Sequence, residues 1–198
     1  MQLDNCIKAT SSEETDRCHS WHPFTQMTEY LNLPRLQIQR GNGCWLWDID
    51  GRRYLDTNAS VWTNVHGHND KELNEAIHQQ LDTLAHSTWL GLSHETGNLF
   101  TQKLIDLTPD PLTRVFYSDN GSNAVEIAIK QSFQYWQQVG EPERTLAVSM
   151  EHAYHGDTFG TMSVSGNKAF HGRFASWCFE TLSWGAPEED PRHGVSAL

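Results

Sequence analysis

The stretch VFYSDNGSNAVEIAIK (115–130) limits the possible folds more than any other part of the chain. A short apolar run stops at Ser118, Asp119-Asn120-Gly121-Ser122 turn the chain, and a helical pattern starts at once. Val125, Ile129 and Trp136 then lie on or near one helix face. A Gly-Glu-Pro turn (140–142) ends the helix, and Thr145–Met150 is again nearly continuous in apolar character. Strands that are apolar on both faces are covered on both sides. The order strand, helix, strand therefore predicts parallel strands at 115–118 and 145–150 joined by a right-handed crossover. The expected class is α/β, a mostly parallel sheet with helices, preceded by a β-rich N-terminal segment.

Within that segment, LQIQRGNGCWLWDIDGRRYLD (36–56) reads as three short antiparallel strands. Gly41-Asn42-Gly43 and Asp50-Gly51 mark the turns. Leu73, Ile77 and Leu81 recur every four residues and predict a helix from Asp70 to about His86. A second helix is expected from about His94 to Leu107, ended by Thr108-Pro109. Residues 1–20 read as a loose polar leader, 21–69 as the strand-bearing segment, 70–184 as an incomplete large domain and 185–198 as loop or tail.

The 198 residues allow one domain, or one large and one small lobe, and 37% apolar residues with 8 Trp support a packed core. Net charge is −11 with only 14 Lys and Arg, so the basic face that nucleic-acid binding requires is missing, and the acidity serves solubility. No apolar run reaches the ~20 residues of a membrane span, and the N-terminus has no signal-peptide core. Cys6, Cys18, Cys44 and Cys178 are scattered without a CxxC pair, which favours a reduced, cytoplasmic protein over a disulfide framework or a zinc site.

The turn at 119–122 suits an anion. The first turn of a helix has free N–H groups and a partial positive charge, so the backbone itself can hold a phosphate without a basic side chain. Gly121 lets a ligand approach, and Ser122 can cap the helix or donate its hydroxyl. The place also lies at the carboxyl end of a strand, where open α/β sheets bind ligands. Taken alone, the turn reads first as a plain helix cap. Tyr154, four residues past the strand ending at Met150, should emerge on the same sheet edge, and a flat ring beside a phosphate cradle suits a planar phosphorylated cofactor. A metal on His152, His155 and Asp157, or on His66 and His68, is a rival reading. Gly156 and Gly160 interrupt the helix that such ligand spacing uses, and loop histidines making ordinary hydrogen bonds are preferred.

YHGDTFG (154–160), SDNGSNAVEIAIK (118–130) and DIDGRRYLD (48–56) together resemble the class III aminotransferases, which use pyridoxal 5′-phosphate on a fold-type-I scaffold. WHPFTQM (21–27) and ASVWTNVHGHN (59–69) resemble the subgroup that converts 8-amino-7-oxononanoate to 7,8-diaminononanoate in biotin biosynthesis, with S-adenosylmethionine as amino donor. The resemblance implies that Gly121 and Ser122 bind the cofactor phosphate and that Tyr154 packs on the cofactor ring and borders the substrate. It also implies that Trp62 and Phe24 line the substrate pocket. Phe24 stands where several relatives carry tyrosine, so one polar contact to substrate is missing. The motif-free reading of Trp62 and Phe24 is core packing. A homodimer with sites at its interface is also implied.

The family's chain is more than twice as long, and the resemblance places its Schiff-base lysine and the aspartate facing the pyridine nitrogen beyond residue 198. Lys8, Lys71, Lys103, Lys130 and Lys168 do not sit in the family's lysine motif, so no catalytic residue is assigned. A helix-start phosphate contact is worth up to ~2 kcal/mol and an aromatic stack about 0.5–1.5 kcal/mol, against about 8 kcal/mol for micromolar binding. The chain alone is expected to bind the cofactor weakly, to be inactive, and to dissolve poorly because its sheet has a bare edge. Two alternatives are another class III aminotransferase with an ω-amine or amino-acid donor, and a non-catalytic module that pairs with a complementary chain.

Overall fold

The computed structural model describes residues 10–166 and 168–185. These fall into two compact units that divide between Ser93 and His94. The predicted tail beyond Gly185 and the first nine residues of the leader lie outside the described residues.

The first unit contains α1 (Ser12–His19), α2 (Met27–Tyr30), strands β1 (Ile38–Asn42), β2 (Trp45–Asp48) and β3 (Arg53–Leu55), then α3 (Ala59–Trp62) and α4 (Lys71–Thr83). The strands form one antiparallel sheet in the order β1-β2-β3, as the alternation and turn residues predict. Gly43 (φ 54°) and Gly51 (φ 81°) take the left-handed backbone that both turns need. Trp45 and Trp47, two residues apart on one face, are each covered by a guanidinium. Arg53 lies 4.0 Å from the Trp45 ring and Arg40 3.7 Å from the Trp47 ring. Asp48 is buried and accepts from the Arg52 amide and the Tyr54 hydroxyl, each at 2.8 Å, which pins the second turn.

Part of the leader is ordered. Ser11 accepts from the Glu14 amide at 3.1 Å, Glu13 and Glu14 occupy the first turn of α1, and Arg17 and His19 the last, so caps and dipole agree on a helix. Cys18 in α1 is disulfide-bonded rather than a free thiol, which corrects the expectation of reduced cysteines; Cys44 and Cys178 are free. Spacing along a chain does not say which thiols meet in space.

The backbone of α3 is left-handed. Ala59, Ser60, Val61 and Trp62 all have φ between 49° and 66°. This conformation costs an L-residue about 1–2 kcal/mol, and Val61 is β-branched, which makes it a poor occupant. The turn is held by its neighbours. Asp56 accepts from the Ser60 amide at 3.0 Å, the Ser60 hydroxyl at 2.8 Å and His68 Nε2 at 2.8 Å. Asn58 accepts from the Val61 amide at 3.4 Å. His68 is fixed in turn by two backbone bonds to Gly43, of 2.9 and 2.8 Å, so the β1–β2 turn anchors the far end of the loop.

The second unit contains α5 (Glu95–Leu107), α6 (Gly121–Gln138), β4 (Ala147–Met150), α7 (Phe159–Ser163), α8 (Lys168–His171), a 3-10 turn (Gly172–Trp177) and β5 (Thr181–Trp184). The long helices α4, α5 and α6 fall within a few residues of the predicted spans. One expectation fails. Residues 115–118 form no strand among the described residues; β4 pairs in parallel with β5 instead, from Ala147↔Thr181 to Met150↔Trp184. An apolar run can supply a strand's side chains, but the strand exists only through a neighbour's hydrogen bonds, and the run does not name that neighbour. The most buried segment is Gly160–Ser163 in α7, with Met162 at its centre, whereas Val148 of β4 and Leu182 of β5 stay exposed. Among the described residues no helix is long and apolar enough to cross a membrane.

The bonds on Asp56 generate a test. The Ser60 amide first, then the Ser60 hydroxyl and His68, lower its carboxyl from 3.8 to about 2. A lowered folded-state value stabilises the fold fully above the unfolded value, and that contribution is lost as pH falls from about 4 towards about 2. The urea midpoint of the wild type should therefore drop more steeply across that window than that of Asp56→Asn. Parallel profiles would show that Asp56 holds nothing.

Candidate cofactor site at the start of α6

Asn120 caps α6. Its side chain accepts from the Asn123 amide at 2.9 Å and its carbonyl from the Ala124 amide at 3.0 Å. These bonds use the third and fourth amides of the helix. The first two, those of Gly121 and Ser122, have no acceptor among the described residues. Gly121 is exposed, and no heavy atom lies within 4 Å of the place where a Cβ would stand. The Asp119 carboxylate, two residues before Gly121, accepts from Asn123 Nδ2 at 2.6 Å, which holds it below its ordinary value.

The loop after β4 is lashed to the same helix turn. Ser122 Oγ accepts from the Asp157 amide at 3.3 Å. One turn further along, Glu126 Oε2 accepts from the Thr158 hydroxyl at 2.5 Å and the Thr161 amide at 3.2 Å. Thr158 and Thr161 join their hydroxyls at 2.9 Å. Two glycines make the approach possible. A Cβ on Gly156 would collide with Ser122, and one on Gly160 with the Glu126 carboxylate. Gly156 also has φ 124°, which L side chains rarely adopt.

Tyr154 stands on this loop, half exposed at 51%. Its hydroxyl donates to Asp157 Oδ2 at 2.5 Å, and its ring stacks on His171 at 5.7 Å with 21° between planes. The bond to Asp157, then burial and the carboxylate charge, hold the phenol above its ordinary value. Burial pushes the Asp157 carboxyl up, but the bonds from Tyr154 and His171 outweigh it and leave the group below the ordinary range.

The chain thus connects Gly121-Ser122 to Tyr154 through one residue, Asp157. Phe24 and Trp62 belong to the other unit, and both are 80% exposed. Phe24 has φ 50° and Trp62 φ 66°, so each side chain leaves a left-handed backbone. Glu126 and His171 have no site role in the sequence reading, and Asp157 enters it only in the rival metal reading. The two glycines of GDTFG announce a close approach, and Glu126, four residues after Ser122, shares its helix face. Nothing in the sequence announces His171.

The aminotransferase class-III family matches residues 25–193. The chain is 48% identical over 172 residues to the adenosylmethionine-8-amino-7-oxononanoate aminotransferase of Geobacter sulfurreducens, an alignment covering 87% of this chain and 38% of that protein. The crystal structure of the adenosylmethionine-8-amino-7-oxononanoate aminotransferase from Methanocaldococcus jannaschii superposes with a TM-score of 0.86 at 46% identity, over 90% of this chain and 41% of that one. The omega transaminase from Pseudomonas jessenii, solved in complex with PMP, gives 0.83 at 28% identity, over 90% and 40%. The chain spans about two fifths of the length of these relatives. With a family match across most of its residues and a fold shared over nine tenths of them, the chain belongs to the class III aminotransferases.

Proposed function

We propose that this chain supplies the phosphate cradle, ring support and part of the substrate wall of a pyridoxal phosphate-dependent transaminase. The whole protein would transfer an amino group from S-adenosylmethionine to 8-amino-7-oxononanoate, giving 7,8-diaminononanoate. The observation that carries the reading is the pair of unaccepted amides at Gly121 and Ser122, tied through Asp157 to the loop of Tyr154. The reaction named for the relatives at 48% identity supports the choice of substrates.

The residues fit such a cofactor. Two amides at a helix start and the Ser122 hydroxyl hydrogen offer three donors to a phosphate, since Ser122 Oγ accepts from Asp157 and keeps its own hydrogen to give. Gly121 leaves the approach open. Tyr154 presents a half-exposed ring with its hydroxyl already engaged, which suits packing rather than proton transfer. Asp157 is an ionised anchor for that ring. Trp62 and Phe24 give apolar surface to the substrate, and Phe24 lacks a phenol that could bond it. Bound pyridoxal phosphate supplies the electron sink for moving an amino group between carbons. The chain's own residues bind and orient. We place the cofactor-binding large domain at 70–184 and the segment that borders substrate at 21–69.

A second reading, an ω-amine donor, draws on the TM-score of 0.83 to the omega transaminase and on the apolar Phe24. One experiment separates the two. The chain is joined to the remaining part of the Methanocaldococcus jannaschii relative, and product is assayed with S-adenosylmethionine or an ω-amine as donor. Diaminononanoate formed only with S-adenosylmethionine supports the first reading, and turnover only with the amine supports the second. No turnover with either, in a hybrid that is folded, sinks both.

The cradle is also testable in the chain by itself. Pyridoxamine phosphate should bind up to about 30-fold better than pyridoxamine, the equivalent of ~2 kcal/mol at a helix start. Both should bind more weakly than micromolar. Ser122→Ala should shrink the preference. Gly156→Ala should abolish it and cost about 1–2 kcal/mol of stability, because its backbone and its contact with Ser122 both exclude a Cβ. Equal binding of the two ligands by the wild type would remove the phosphate assignment.

A further inference from the structure

His171 closes α8 and carries one of the few buried polar side chains of the second unit, only 7% exposed. Its Nε2 lies 3.0 Å from Asp157 Oδ1, while the Tyr154 hydroxyl takes the other oxygen of the same carboxylate at 2.5 Å. Its ring plane lies nearly parallel to that of Tyr154, and Phe170 meets the Tyr154 ring edge-on at 6.0 Å and 64°. The other imidazole nitrogen, Nδ1, is buried without a hydrogen-bond partner among the described residues. A carboxylate only accepts, so the hydrogen facing Asp157 sits on Nε2. A bare lone pair at the buried Nδ1 costs less than an unsatisfied N–H there. The geometry therefore fixes both the tautomer and the direction of the bond.

We propose that His171 is a positioning residue for Tyr154, clamping the Asp157 carboxylate through Nε2–H and backing the phenol ring with its own plane. The Tyr154 ring alone has a free torsion about Cα–Cβ and is half exposed. With Asp157 held by one donor from His171, its second oxygen stays where the Tyr154 hydroxyl can reach it, and the ring is fixed at both ends. A mobile Asp157 would turn towards solvent and release the hydroxyl. The Asp157 amide is fixed separately by Ser122, so the clamp acts on the side chain. What the fixed ring then contacts rests on the cofactor reading given above; the clamp itself does not.

The clamp is tested on the chain without ligand. Long-range proton–nitrogen correlation should show His171 with its hydrogen on Nε2 and a bare Nδ1. The opposite tautomer overturns the proposal whether or not any variant folds. With tyrosines labelled at Cζ and Tyr154 assigned through Tyr154→Phe, its phenol titration should lie above the ordinary value of about 10. His171→Phe keeps a ring but no donor, and should return that titration towards the ordinary value. His171→Gln places an amide donor near the position of Nε2 and should keep it raised. An unchanged or higher titration in His171→Phe, or equal loss in both variants, overturns the clamp. A second arm uses pyridoxamine phosphate and inorganic phosphate. His171→Phe should weaken the first about threefold to tenfold, the size of an aromatic stack, and leave the second unchanged. If the wild type binds neither, the cofactor reading fails while the tautomer and titration still decide the clamp.

Discussion

The lashing of the 156–161 loop to the first two turns of α6 is the interaction on which the second unit depends. Ser122 and Glu126 sit four residues apart, on one face of the helix, and each takes a backbone amide of the loop. An acidic side chain in that position satisfies the start of α7, whose N-cap residue Thr158 makes no side-chain cap bond of its own but spends its hydroxyl on Glu126. Glycine at 156 and 160 removes the atoms that would keep the two backbones apart. The buried segment Gly160–Ser163 follows directly on the lashed residues, three positions past Asp157, which holds the Tyr154 hydroxyl.

The first unit uses a different device for a similar end. Four consecutive left-handed residues present Trp62, and no glycine among them relieves the backbone. The strain is local and the compensation is a saturated carboxylate, Asp56, tied by His68 to the turn between β1 and β2. Such outliers persist only where the surroundings over-determine them. Removing one bond from the cluster leaves the others to hold a conformation that the sequence does not itself prefer.

These two sites differ sharply in how far they can be read from the chain. The helix after Gly121-Ser122 is announced by a turn, a cap and a 3.6-residue pattern, all local signals. The β1-β2-β3 sheet is announced by glycine turns and aromatic alternation, which are local too. The pairing of β4 with β5 is not, because parallel partners lie far apart in sequence, and the short polar–apolar alternation of TLSW (181–184) does not name AVSM (147–150) as its neighbour. The left-handed turn is illegible for a sharper reason. Ala, Ser, Val and Trp carry no preference for that backbone, so it is specified by the bonds of Asp56 and Asn58 just before it and of His68 beyond it. His171 likewise becomes visible only once α8 brings it under Tyr154.

One arrangement occurs three times. Asp16 accepts from the Tyr30 hydroxyl at 2.9 Å and His22 at 2.8 Å; Asp56 from Ser60 and His68; Asp157 from Tyr154 and His171. At Asp16 and Asp157 the hydroxyl and the imidazole take different oxygens of the carboxylate, whereas at Asp56 both meet Oδ2 and the Ser60 amide takes Oδ1; in each the carboxyl is held below its ordinary value. A carboxylate so held is ionised and a weaker base than a free one, and it serves as a fixed point for a ring or a turn. In a chain with net charge −11 the abundance of acids would otherwise suggest proton chemistry. Asp56 and Asp157 instead orient a backbone turn and an aromatic ring, each within its own unit.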